Sequence, residues 1–135
     1  MNKEIREIRE IRIDPIVPTE SVLISTARGN RPARKEQLAP RDARAHVDTC
    51  PFCRGNEHMT PPALASYPEQ EHWDIRMVEN LYPVLGDENT GKNITEGLRQ
   101  IIDGYGRHEV IIDHSRHGVG LYEMTEEHIA LLFNA

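Results

Sequence analysis

The stretch that most constrains this chain is Cys50-Pro51-Phe52-Cys53, which holds its only two cysteines. Two thiolates two residues apart can grip one metal ion from a single turn. Pro51 fixes one backbone angle inside that turn. Gly55 and Asn56, just beyond it, tolerate the left-handed geometry that lets backbone amides face sulfur. Redox pairs use the same spacing, but they open a helix after a strand, whereas the sequence around Cys50 is rich in proline. A third reading leaves the two cysteines without any special chemistry. The N-terminal Met-Asn-Lys-Glu-Ile-Arg-Glu lacks the apolar core of a signal peptide, which points to the cytoplasm, where thiols stay reduced.

Zinc takes four ligands in a tetrahedron, usually thiolate and imidazole. Cys50 and Cys53 supply two. Seven histidines compete for the rest: His46, His58, His72, His108, His114, His117 and His128. His114 and His117 follow the clearest strand of the chain and sit in a turn, where ligands converge easily. One of those two is the first choice, and His58, close behind the cysteines, is the local rival.

A length of 135 residues is one domain's worth. With a net charge of −6, the chain lacks the basic field that nucleic-acid binding needs. No apolar run reaches membrane-spanning length. Nine prolines and 28% charged residues point to long loops and an acidic surface.

Along the chain, Ile5, Ile8 and Ile11 recur every third residue among Glu and Arg, which fits a short helix or a strand entered near Ile11. Asp14-Pro15 ends either one. Ser21–Ser25 is an apolar run of strand length. It leads into a loop with Arg28, Arg31, Arg34 and Lys35, where Gly29 and Pro32 argue against a helix. Guanidinium forks on such a loop suit phosphate, although a solvated charge run explains them as well. Residues 36–49 read as irregular. Residues 73–79 alternate as a half-buried strand, with Trp73, Ile75 and Met77 on one face and Asp74, Arg76 and Val78 on the other. Residues 86–106 read as a long glycine-rich connection with a short helical piece near Leu98–Ile102. Residues 108–113 form a strand. Thr125 caps a final helix whose first turn carries Glu126 and Glu127 and whose apolar stripe is Ile129, Leu132 and Phe133. This helix, stopping uncapped at Ala135, suggests the front part of something longer.

Five stretches in register resemble the galactose-1-phosphate uridylyltransferase family, within the histidine-triad-like nucleotidyltransferases. They are Ser21–Ser25; Arg28-Gly-Asn-Arg-Pro32; Cys50-Pro-Phe-Cys-Arg-Gly-Asn-Glu57 with Thr60-Pro61; Arg76-Met-Val-Glu-Asn-Leu-Tyr-Pro83; and Gly106-Arg-His-Glu-Val-Ile-Ile-Asp113 through His117. The likeness covers about residues 10 to 135. It implies an α+β fold: an antiparallel sheet from strands near 21–25, 73–79 and 108–113 with a flanking helix, a histidine-triad-like half-barrel that looks truncated. Residues 1–135 would be the N-terminal part of such a domain.

The resemblance also implies an activity. A nucleoside monophosphate, UMP in the leading reading, passes between a nucleotide sugar and a hexose 1-phosphate such as galactose 1-phosphate. The route is a nucleotidyl-histidine intermediate. Carried over by position, Cys50, Cys53 and His117 match zinc ligands. Arg28 and Arg31 match a basic loop that reaches the nucleotide, often from the partner subunit of a homodimer. Phe52 and Asn80, with Leu81 beside it, match positions near base and ribose. One departure is large. The family's nucleophile lies in a His-Pro-His-type motif whose first histidine is the fourth zinc ligand, and this chain has no His-x-His. Both functions are therefore expected beyond Ala135. An adenylyl-type nucleotide-sugar phosphorylase and a non-catalytic zinc-binding module are the competing readings.

Overall fold

The computed structural model describes residues 7–31 and 42–135. Arg34, Lys35, Ile5 and residues 36–41 of the stretch read as irregular lie outside that range. The chain divides into two compact units, one within Met1–Arg34 and Leu81–His108, the other within Lys35–Asn80 and Glu109–Ala135.

The first unit holds a four-stranded antiparallel sheet in the order β2-β1-β6-β5, from β1 (Arg9–Ile13), β2 (Ser21–Ser25), β5 (Asn93–Glu96) and β6 (Arg99–Asp103). Of the two readings of the Ile-rich N-terminal stretch, the strand entered near Ile11 is the one realised. Ile11 pairs with Leu23 on one side and Ile102 on the other. Arg9, Ile11 and Ile13 share a face by the two-residue period of a strand, and Arg9 pairs with Glu7 and Glu88. The helical piece expected near Leu98–Ile102 is instead the second arm of a hairpin. Glu96 pairs with Arg99 across a two-residue Gly97-Leu98 turn. Gly97 adopts φ +60°, which two-residue hairpin turns demand and side chains resist. The arginine loop also differs: Thr26–Asn30 closes into a short 3-10 helix with Ala27 buried. Gly29 does not prevent this, because one tight turn asks little of a residue's helix propensity.

The second unit holds a three-stranded antiparallel sheet in the order β3-β4-β7, from β3 (Ala63–Tyr67), β4 (Ile75–Glu79) and β7 (Glu109–Ile112). The strands near 73–79 and 108–113 are therefore neighbours, but the 21–25 strand belongs to the other sheet. β3 has no counterpart in the sequence reading, since its Ala and Ser residues give weak strand signals between Pro62 and Pro68. β4 is the central strand, and it is not half-buried as its alternation predicts. Ile75, Arg76 and Val78 are all buried. Trp73, Val78 and Ile112 form the core, with Val110 packed against it. The Arg76 guanidinium is accommodated because Nη1 donates to Thr60 Oγ1 at 2.8 Å and the group lies 6.0 Å over the Trp73 ring.

Helix α1 (Glu126–Asn134) starts at Thr125, whose Oγ1 accepts from His128 N at 3.2 Å, as the capping pattern predicts. Its stripe is narrower than expected: Ile129 and Leu132 are half-buried, while Phe133 is 83% exposed. The fold class is α+β, antiparallel sheets with one C-terminal helix.

Ile75 has no accessible surface. Ile75→Ala is expected to cost about 2–5 kcal/mol by lost transfer energy and the cavity left behind. Leu98→Ala, at a position 84% exposed, is expected to stay within about 0.5 kcal/mol of the parent. Urea unfolding midpoints check both.

Candidate metal centre and nucleotide pocket

The Cys50 turn is built by its own backbone. Cys53 N donates to Cys50 O at 3.3 Å, and Asn56 N donates to Cys53 O at 3.1 Å. Gly55 takes φ +101°, as its freedom allows. Asn56 does not adopt left-handed geometry, with φ −110°. Its contribution comes from the buried side-chain amide, which donates to Val47 O at 3.0 Å and Cys50 O at 2.7 Å. That amide cross-braces the loop before the turn against the turn itself. Glu57 extends the brace to the core. It accepts from Gly55 N at 2.9 Å and from the Trp73 indole N–H at 2.8 Å. Burial pushes the Glu57 carboxyl up, but the Gly55 amide and the Trp73 donor outweigh it, so it stays below its usual value.

The turn that follows β7 meets this one through Arg54 and Ser115. Arg54 N donates to Ser115 O at 3.0 Å. Arg54 Nη2 donates to Ser115 Oγ at 2.7 Å and to Asp74 Oδ1 at 3.1 Å. Buried Ser115 is thus the joint between the two turns.

These contacts bring Cys50, Cys53 and His117 together, with one ligand atom from each lying within 4.8 Å of the others. Cys53 Sγ lies 3.5 Å from His117 Nδ1. Tetrahedral zinc with Zn–S of about 2.3 Å and Zn–N of about 2.0 Å needs that ligand pair about 3.5 Å apart. The donor set of two sulfurs and one imidazole suits a zinc-like ion. Burial raises the Cys53 thiol above its ordinary value, the neighbouring Cys50 and Asp42 push it further the same way, and only the Val47 backbone amide opposes them. A thiolate there calls for a cation. No fourth Cys, His, Asp or Glu joins the group among the described residues.

The other candidates fall elsewhere. His58 is exposed on the short 3-10 turn Glu57–Met59. His114 is committed to its own turn: its Nδ1 accepts from Arg116 N at 3.0 Å, and its ring stacks on His128 with centroids 4.6 Å apart. His128 Nε2 in turn lies 2.7 Å from Asp113 O.

Phe52, half-exposed, projects from between the two cysteines. It lines a cavity of about 260 Å³ with Cys50, Cys53, Ile111 and His117. Asn80 follows β4 in the second unit, half-buried. Leu81 is exposed and belongs to the first unit. Arg28 and Arg31 also belong to the first unit, where Arg31 N donates to Arg28 O at 3.2 Å. Sequence reasoning gave Asn56 a backbone role only and missed its bracing side chain and those of Glu57, Arg54 and Ser115. The Asn-Glu pair directly after the turn was the signal available for two of them.

Burial lowers the His114 pKa below 6.5, and His128 adds to this. The folded state therefore favours neutral His114. Its contribution to stability is present above pH 6.5 and is lost as pH falls below that value. Chemical unfolding between pH 7.5 and 5 is expected to show this loss, and His114→Gln is expected to flatten the slope in that window.

Over residues 1–135 the chain matches the family described as galactose-1-phosphate uridyl transferase, N-terminal domain. It is 32% identical over 118 residues to ADP-glucose phosphorylase of Arabidopsis thaliana, covering 85% of this chain and 33% of that protein. The crystal structure of that phosphorylase with bound ADP-glucose superposes with a TM-score of 0.51 at 28% identity, covering 90% of this chain and 33% of the other. A uridylyltransferase structure superposes at 0.55 with 25% identity, covering 93% and 32%. The chain thus spans about a third of the length of these relatives. It belongs to the galactose-1-phosphate uridyl transferase family, as a match to its N-terminal domain.

Proposed function

We propose that this chain forms the metal-braced, base-binding part of a nucleotidyltransferase that acts on nucleotide sugars. The observation that supports this most is the convergence of Cys50, Cys53 and His117 beside a cavity lined by Phe52, in a chain of this family. In this reading UMP passes between a UDP-sugar and a hexose 1-phosphate, galactose 1-phosphate in the first instance.

Chemically, a histidine nitrogen attacks the α-phosphorus of the nucleotide sugar and the bond to the leaving sugar phosphate breaks. The acceptor phosphate oxygen then displaces the histidine. Splitting one displacement into two lets the same cationic groups serve both. Arg28 and Arg31 supply that charge to the phosphates, reaching the nucleotide from the partner subunit of a homodimer. Phe52 offers its ring to the base, and Asn80 hydrogen-bonds the ribose region with Leu81 beside it. Zinc on Cys50, Cys53 and His117 would act structurally, holding the two turns that carry the pocket wall, so that its binding energy adds to folding energy. The nucleophilic histidine is not assigned to any residue of this chain, which lacks a His-x-His motif. The reduced thiols such a site needs fit a cytoplasmic protein.

A second reading has a specific observation behind it. The 32% identity to ADP-glucose phosphorylase favours an adenylyl substrate with inorganic phosphate as acceptor.

Two experiments test these readings. UDP-glucose and ADP-glucose, each labelled at the α-phosphate, are incubated with the protein in its full natural length. Acid-labile label on a histidine is expected from one of them, and the donor that labels identifies the base. No label from either donor sinks the transferase reading. Zinc analysis of the 135-residue chain is expected to find a weakly held ion that Cys50→Ser abolishes. Tight stoichiometric zinc surviving that substitution would exclude the assignment of Cys50 as a ligand.

A further inference from the structure

We propose that Asp42 is a positioning residue for the metal centre: its carboxylate faces one nitrogen of His117 and orients the ring so that the other nitrogen meets the metal. This rests on the metal reading above, but it concerns a residue to which neither the sequence pattern nor the family likeness gives a role.

The two nitrogens of His117 have different neighbours. Nδ1 lies 3.5 Å from Cys53 Sγ. Nε2 lies 3.6 Å from Asp42 Oδ2. A neutral imidazole carries one N–H, and an ionised carboxylate can only accept. Their separation is longer than a hydrogen bond, so the carboxylate acts through its charge: it favours the proton on Nε2 and leaves the Nδ1 lone pair facing the sulfurs. A carboxylate beside the second nitrogen of a histidine ligand biases tautomer and ring angle and makes the ligating nitrogen more basic.

The surrounding backbone holds Asp42 in that position. His117 N donates to Ala45 O at 2.9 Å. Gly118 adopts φ +68°, and a Cβ there would strike the Asp42 carbonyl oxygen. The Asp42–Ala45 segment thus lies directly on the His117–Gly118 turn, and only glycine permits the approach. The carboxylate is itself held in place. Arg44 N donates to Oδ1 at 3.1 Å and Arg44 Nε to the same oxygen at 2.9 Å. Arg44 fixes the rotamer of Asp42, and Asp42 fixes the ring of His117.

The test has two independent arms. In the metal-free protein, long-range proton–nitrogen correlations of the imidazoles report the tautomer. His117 is expected as the Nε2–H form in the parent and as a tautomer mixture in Asp42→Ala. An Nδ1–H form in the parent overturns the proposal. In the second arm, zinc affinity is measured by competition with a chromophoric chelator. Asp42→Ala is expected to weaken it by about 10- to 100-fold, with Asp42→Asn falling between Asp42→Ala and the parent. Asp48→Ala, which removes an exposed carboxylate close to Cys50, is expected to leave it unchanged. Parent-like affinity in Asp42→Ala, or an equal loss in Asp48→Ala, overturns the proposal. If Asp42→Ala fails to fold, the parent tautomer and Asp42→Asn carry the test. A parent that binds no zinc sinks the metal reading, while the tautomer arm still decides whether Asp42 holds the ring.

Discussion

The candidate centre depends on the clamp between Arg54 and Ser115. The cysteine turn and the histidine turn are more than 60 residues apart in sequence, and a site shared between them needs both held at the right distance. One backbone hydrogen bond and one guanidinium–hydroxyl hydrogen bond do this, with Asp74 as the counter-charge. Loss of the buried Ser115 hydroxyl would remove one of the two side-chain contacts of Arg54 Nη2 and leave only the one to Asp74. Ligands held in this way bind an ion at a lower ordering cost than ligands gathered from mobile loops.

A second brace runs from the cysteine turn into the core. Asn56 ties the turn to the preceding loop, and Glu57 ties it to the Trp73 indole. Trp73 packs with Val78 of β4 and Ile112 of β7. The chemistry at the surface and the packing beneath it are therefore one structure. A core substitution on β4 would reach the sulfurs through two side chains.

Local patterns made much of this legible in the sequence. The Cys-x-x-Cys spacing, the capping Thr125 and the apolar run at 109–112 are each encoded by residues close to one another. What escaped was encoded at long range. β3 is a strand because β4 pairs with it, not because Ala63–Tyr67 favours extension. Residues 93–103 form a hairpin because Gly97 can turn, a single-residue signal lost among other glycines. The alternation at 73–79 reads as a half-buried strand, and it cannot foresee that Arg76 and Val78 on one face and Ile75 on the other are all buried. At the centre, position in the turn after a strand put His114 and His117 first with His58 as the local rival, and position within the family likeness favoured His117. The geometry shows why His114 is diverted: its Nδ1 is occupied by Arg116 N and its ring by His128. Asp42 left no local trace, because its relation to His117 exists only once the chain has folded back on itself.

Trp73 is the only tryptophan of the chain, and it is enclosed with its indole N–H on Glu57. Its fluorescence is thus a signal from a single known place. A sealed indole emits in the blue and shifts to the red when water reaches it, and a carboxylate on its N–H makes the emission sensitive to that one contact. The chain carries an optical gauge of its own cysteine turn, one that needs no added label.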